Sequence, residues 1–265
     1  MLRPLSIAEK EVKVMNLINE INMGYDNRVV AFIDILGFKE AVKKSNTDIK
    51  EFERIIKTLD ELKTFFSSPI KPSPDSDYDT QIIQVSDSLI ISRKIQEQGG
   101  IFRMLNDCAL ATHLIIDNGF LCRGAIKYGN TYHKDTMIFG QAYLEAFNAE
   151  EKEILPLIKF DKKLFEIVEL FPGYANVGHE EWAINFLGEK CKILNSGEYY
   201  LDYFTDYDER IGGEEGESSI HYSKLREIII NGLESNDNSA YLKNIWVANQ
   251  FNKTAQYFGL EKIDI

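Results

Sequence analysis

Val29-Val30-Ala31-Phe32-Ile33-Asp34-Ile35-Leu36-Gly37-Phe38 is an apolar run broken by a single acid and closed by a small-residue turn. A strand buried on both faces reads as such a near-continuous run of Val, Ile and Phe. The stretch is therefore predicted as a central strand that carries Asp34 to its C-terminal end. A carboxylate among apolar neighbours is costly to bury, so this acid needs a chemical reason for being there. Further on, Gln81-Ile82-Ile83-Gln84-Val85-Ser86-Asp87-Ser88-Leu89-Ile90-Ile91-Ser92 reads as a tight hairpin with Ser86-Asp87-Ser88 at its tip. If hairpin and strand are neighbours, Asp34 and Asp87 converge on one spot.

The bulk composition limits what that spot can serve. The chain has 265 residues and is 44% apolar, which supports a substantial core in one large domain or two small ones. No apolar run approaches a membrane-spanning length, and Met1 to Lys10 lacks a signal-peptide pattern, so a soluble, cytoplasmic protein without a membrane partner is expected. Cys108, Cys122 and Cys191 are odd in number and widely spaced, which suits buried thiols rather than a metal site. A formal charge of −12 with no basic stripe argues against duplex nucleic acid. A nucleotide remains compatible, because a metal ion can bring a polyphosphate to an acidic site.

Around these stretches the chain reads as mixed α and β. An amphipathic helix is predicted over residues 5–23, and a second from Thr47 to Phe66 with Ile49, Phe52, Ile55, Ile56, Leu59 and Leu62 buried. Ser67 to Asp79 reads as an exposed loop and Ile101 to Asp117 as a helix stopped by Asn118-Gly119. A strand follows from Phe120 to Tyr128, in which Gly124 and Gly129 mark close backbone approach or a bend. Asn130 to Thr136 reads as a polar turn, and Met137-Ile138-Phe139-Gly140 leads into a helix running to Glu153. Leu155 to Phe160 reads as a strand, with Asp161 capping a helix to Leu170. Trp182 to Leu187 and Tyr199 to Phe204 read as strands, Thr205 to Ser218 as an acidic surface loop, and Ile220–Leu233 and Ser239–Phe258 as closing helices. The order argues an α+β fold, divided into an N-terminal helix (1–27), a main unit (28–160) and a C-terminal elaboration (161–265) packed on it.

Four stretches, in this order, resemble class III nucleotidyl cyclase domains. Phe32-Ile33-Asp34-Ile35-Leu36-Gly37-Phe38 resembles their opening Phe-x-Asp-Ile-x-Gly-Phe motif, and Val85-Ser86-Asp87-Ser88 their Ile-Gly-Asp-Ala hairpin. Arg123-Gly124-Ala125-Ile126-Lys127-Tyr128-Gly129 resembles the Arg-x-Gly-Ile-x-x-Gly strand, and Ile138-Phe139-Gly140-Gln141-Ala142 falls where the family has Ile-Trp-Gly entering a helix. The resemblance covers residues 28–150 and is closest to the compact bacterial proteins that include the pyrimidine cyclases of Pycsar antiphage systems. It implies a ferredoxin-like sheet with helices on one face plus the C-terminal α+β extension. It also implies head-to-tail homodimers with active sites at the interface, acting on a nucleoside triphosphate.

By the same resemblance, Asp34 and Asp87, with the carbonyl of Ile35, would hold two Mg²⁺ or Mn²⁺ ions. Two hard cations about 3.5–4 Å apart suit in-line attack of a ribose hydroxyl on the α-phosphorus, with pyrophosphate leaving. Arg123 and Lys127 share a strand face and could meet a phosphate, and the turn at Gly37-Phe38 could offer backbone amides. The family's purine-selecting polar pair falls on the apolar Ile83 and Met137, which points to UTP or CTP as substrate. Its transition-state Asn and Arg fall on Leu144 and Asn148, a departure that favours an alternative reading as a catalytically degenerate nucleotide sensor or protein-interaction module. A palm-like enzyme linking nucleotides is a third reading, since it too needs two acids and two metals. Elsewhere, His133 reads as an incidental turn histidine, His113 as a core histidine and His179 as surface. The Tyr199-Tyr200 and Tyr203-Phe204 aromatics read as strand packing.

Overall fold

The computed structural model describes residues 9–10, 12–14, 24–67, 79–173, 177–205 and 217–265. Residues 9–10 and 12–14 are helical; the rest of the expected N-terminal helix and the interiors of the loops expected at 67–79 and 205–218 lie outside the described residues. The strands are β1 (Asp26–Leu36), β2 (Gln81–Val85), β3 (Ser88–Lys94), β4 (Leu121–Lys134), β5 (Met137–Gly140), β6 (Ile158–Phe160), β7 (Cys191–Ile193) and β8 (Tyr199–Leu201). The helices are α1 (Phe38–Ser45), α2 (Ile49–Ser67), α3 (Gly100–Asp117), α4 (Gln141–Glu151), α5 (Lys163–Leu170), α6 (Glu180–Glu189), α7 (Glu217–Leu233) and α8 (Asn238–Thr254), with a 3₁₀ turn over Ala255–Phe258. None of the described helices is long and apolar enough to cross a membrane.

The fold is α+β, built on one eight-stranded sheet in the order β2-β3-β1-β4-β6-β8-β7, with β5 folded back onto β4. β1 lies between antiparallel neighbours β3 and β4. Its alternate residues serve both faces. Val29, Ala31, Ile33 and Ile35 join α2, α3 and α5 in the main core, while Val30 and Phe32 meet Ile83, Ile90, Ala142 and Ala146 under α4. That double burial explains the unbroken apolar run. Most of the cover lies on one face, as expected; α4 and, at the far edge, α8 add cover on the other. β7 and β8 extend the same sheet through β6.

Several local expectations are corrected. The buried stripe of α2 runs through Glu51, Ile55, Thr58, Leu62 and Phe66, a helical repeat that leaves Ile49 67%, Phe52 48% and Ile56 51% exposed. The expected polar turn from Asn130 to Thr136 shrinks to Asp135-Thr136, because β4 continues to Lys134 and pairs with β5 from Lys134–Met137 to Thr131–Gly140. His133 is therefore a strand residue, only 6% exposed, and its Nδ1 lies 2.7 Å from the Ser92 hydroxyl. The Trp182 to Leu187 segment is helical, within α6. It holds a single β-branched residue, and a short apolar run does not distinguish helix from strand by periodicity. Of the Tyr199 to Phe204 strand only Tyr199–Leu201 pairs, and Tyr203 and Phe204 instead stack on each other at 4.2 Å.

Other expectations hold. The three cysteines are buried thiols. His113 is fully buried, with Nδ1 3.1 Å from His221 Nε2. Asp161 caps α5 by accepting from the Lys163 amide at 2.7 Å. Gly124 does mark a close approach: a Cβ there would lie 2.5 Å from the Phe32 carbonyl oxygen.

Candidate active site

Asp34 sits near the end of β1, opposite Ser88 on one side and Arg123 on the other. Its even position puts its side chain on the face of Val30 and Phe32, the α4 face. The β2–β3 hairpin turns through Ser86 (φ 54°) and Asp87, and its tip is pinned to β1: the Ile35 amide donates to the Asp87 carbonyl at 3.1 Å. In a strand, N–H and C=O of one residue point to the same neighbour, so the Ile35 carbonyl is also directed toward the Asp87 turn. Asp34, Asp87 and this carbonyl are thus gathered at one strand end, as the sequence suggests.

A third acid joins them. Glu150 of α4 is 4% exposed, and its Oε1 lies 2.5 Å from Arg123 Nε. Arg123 also donates through Nη1 to the Glu153 carbonyl at 2.8 Å, and its Nη2 lies 4.0 Å from Asp34 Oδ2. Burial first, then the nearby Glu150 and Asp87 charges, push the Asp34 carboxyl up to about 7, against the opposing pull of Arg123 and a hydrogen bond from Ser88. Burial likewise raises Glu150, with Arg123 opposing. The site concentrates negative charge that its one arginine only partly offsets. Glu150 was not singled out from sequence. The signal was present: Ala142, Ala146 and Glu150 recur every four residues on the buried stripe of α4, an acid where an apolar residue belongs.

The other expected site residues divide. Gly37 is exposed, has φ 78° and precedes α1 as its N-cap. Phe38 is not presented to a ligand; it is 7% exposed and packs at 6.5 Å from the Phe120 ring, leaving only its backbone at the helix entrance. Ile83 is 8% exposed and belongs to the core beneath α4. Met137 is 59% exposed but pairs with Lys134, eleven positions along β4 from Arg123. At about 3.3 Å per residue that is roughly 36 Å, so one chain does not bring Met137 to Asp34. Leu144 and Asn148 are exposed on the outer side of α4.

Among the described residues there is no group of three or more His, Cys, Asp or Glu side chains arranged to hold a metal. The donor set at hand is two carboxylates and a carbonyl, all oxygen, which suits a hard cation that keeps waters and substrate oxygens in its remaining positions. Burial first, then the Glu150 and Asp87 charges, disfavours the ionised Asp34 carboxyl, and a cation bound there would offset both. The residues present therefore fit a divalent ion.

No protein-family model and no curated protein matches the chain. Among solved structures it is similar to the adenylyl cyclase CyaB from P. aeruginosa, at 14% identity over 56% of this chain and 83% of that one, with a TM-score of 0.37. The monomeric guanylyl cyclase domain of the RhoGC fusion protein from the aquatic fungus Blastocladiella emersonii is similar at 14% identity over 67% and 95%, with a TM-score of 0.41. A bacterial light-regulated adenylyl cyclase is similar at 11% identity over 77% and 98%, with a TM-score of 0.37.

Proposed function

We propose that this chain is a metal-dependent nucleotide cyclase that converts a ribonucleoside triphosphate to a 3′,5′-cyclic mononucleotide and pyrophosphate. The observation that carries the reading is the hydrogen bond from Ile35 to Asp87, which sets the second carboxylate beside the end of the strand bearing the first. The motif resemblance supplies the reaction class. Asp34, Asp87 and the Ile35 carbonyl would hold Mg²⁺ or Mn²⁺, which when bound supplies Lewis-acid activation of the 3′-hydroxyl and charge neutralisation at the leaving pyrophosphate. Arg123, anchored by Glu150 and the Glu153 carbonyl, presents a cation beside Asp34 for a phosphate oxygen. The Gly37 turn opens the N-terminal amides of α1 toward the same end of β1. The chain's own contribution is thus positioning and charge placement.

The separation of Met137 from Asp34 supports a homodimer in which a second copy completes each site. Because Ile83 is buried, selection of a pyrimidine base in this reading falls to Met137 from that second copy. In keeping with the compact bacterial resemblance, the product would serve as an antiphage signal. The test is incubation of the purified chain with each of the four ribonucleoside triphosphates and Mn²⁺, with products identified by mass spectrometry. A cyclic mononucleotide is expected, most from UTP or CTP, and Asp34→Ala must eliminate it with the fold retained. Linear dinucleotides, or product surviving in Asp34→Ala, would overturn the reading.

The second reading is a nucleotide sensor of the same architecture. It is favoured by Leu144 and Asn148, which place no amide–guanidinium pair on the outer side of α4. Saturable triphosphate binding without turnover would select it.

A further inference from the structure

At the far edge of the sheet, β7, β8 and α8 enclose a cavity of about 590 Å³, within the usual size range of small-molecule sites. Trp246, Gln250 and Lys253 recur at helical spacing and line it from α8; Lys192, Tyr200 and Asp202 line it from the sheet. Its apolar wall is aromatic. The Trp246 ring meets Tyr200 edge-on at 5.8 Å and Phe204 at 6.1 Å. Its acid is already engaged: Asp202 is 3% exposed, lies 3.4 Å from Lys192 Nζ, and accepts from the Phe204 amide at 3.0 Å and the Thr205 hydroxyl at 2.8 Å. Lys253 is held by the neutral Gln250 amide oxygen at 2.8 Å rather than by a carboxylate. The lining therefore carries a net positive charge, in a chain whose formal charge is −12.

Register places this cavity relative to Asp34. The cross-sheet row Phe32, Ala125, Lys159, Tyr200, Lys192 shares one face, and Asp34 lies two residues past Phe32 on that face. Four strand spacings of about 4.8 Å put the two sites roughly 19 Å apart. They are separate sites on one surface.

We propose that this cavity binds a nucleoside monophosphate, with its base against the half-buried Trp246 ring, which the buried Tyr200 and Phe204 hold in place, and its phosphate at Lys253 and Lys192. Aromatic faces accept any planar base, and lysine ammonium groups act as point charges for a phosphate. The site uses no divalent cation and none of the groups assigned to cyclisation, so it stands or falls independently of that reading.

The experiment uses the full chain in EDTA. The chain has two tryptophans, so Trp182→Phe leaves Trp246 as the one tryptophan, excited selectively at wavelengths beyond tyrosine absorption. AMP, GMP, CMP and UMP are titrated by fluorescence and calorimetry, with inorganic phosphate and uridine as partial probes. Saturable binding of at least one monophosphate is expected, tighter than either partial probe. Lys253→Gln should weaken it about 10-fold, the scale of one charge-assisted hydrogen bond. Gln250→Glu, which sets an acid beside Lys253, should weaken it further, and Asp34→Ala should leave it unchanged. Absence of saturable binding by all four, equal affinity for phosphate alone, indifference to both α8 substitutions, or loss in Asp34→Ala would each overturn the proposal.

Discussion

Ile35 and Asp87 are joined through their backbones: the amide of one donates to the carbonyl of the other at 3.1 Å, tying the end of β1 to the tip of the β2–β3 hairpin. The position of the second carboxylate is thus set by main-chain geometry rather than by a flexible side-chain contact. Backbone registration of this kind fixes the relative position of two side chains more firmly than a side-chain contact would.

The first prediction concerns the charge held there. Asp34→Asn keeps shape and removes a carboxylate whose ionised form is opposed by burial, Glu150 and Asp87. Because the folded-state value near 7 lies above the ordinary 3.8, folding favours the protonated form, and stability falls as pH rises through about 7. At alkaline pH the variant should melt above the wild type while making no cyclic product. Matched thermal melts and product assays check both halves; a lower melting temperature at alkaline pH would contradict the electrostatic account.

The buried ion pair gives a second test. Arg123→Ala strands Glu150, which is 4% exposed, without its cation. Removing one partner of a buried pair typically costs about 3–5 kcal/mol, whereas replacing both with apolar groups often costs little. Urea unfolding should show a large loss for Arg123→Ala and substantial recovery in Arg123→Met/Glu150→Leu. The double variant should remain inactive if Arg123 is, as proposed, the cation that meets the phosphate.

How much of this was legible in sequence depends on which face of an element a residue takes. Asp34 and Asp87 stood out because each is an acid at the end of an apolar strand run, and Gly124 because a central strand has no other reason for glycine. The fate of Phe38 and Ile83 was not legible: a motif marks their positions but not that their side chains turn into the core. The full length of β4 was hidden for a different reason. Asn130-Thr131-Tyr132-His133 looks like a turn because it is polar, yet Thr131 is fully buried and His133 is buried against partners far away in the chain. Polar strands satisfied by distant groups leave no local signal.

That buried polar end of the sheet yields a pH prediction. Arg28, fully buried, donates through Nε to Ser92 Oγ at 2.9 Å, and the same hydroxyl lies 2.7 Å from His133 Nδ1. Burial first, then the Arg28 charge, disfavours the protonated imidazole of His133 and drops its value to about 4. An unfolded histidine titrates near about 6.5. Between the two values the unfolded chain binds more protons, so this group's contribution to stability is full above about 6.5 and is lost as pH falls toward about 4. His133→Asn should flatten that slope in urea midpoints measured across the window. An unchanged slope would place the acid sensitivity elsewhere.

The last prediction concerns the face that a second copy would cover. On the outer side of α4, Leu144 is 55% exposed and Phe147 38%. Large apolar side chains left in the open on one helix mark an interaction surface. Met137 is the expected base contact that one chain keeps far from its own Asp34. A symmetric pair that covers the outer side of α4 and sets one copy's Met137 beside the other's Asp34 would complete both sites. The wild type should therefore run as a dimer by light scattering. Leu144→Asp should give a monomer whose unfolding midpoint in urea, measured at a concentration where the wild type is also monomeric, stays near the wild-type value, because Leu144 is 55% exposed within the chain. Activity should fall with dimer content rather than with folded content, and a monomeric variant that retains full turnover would show that one chain suffices.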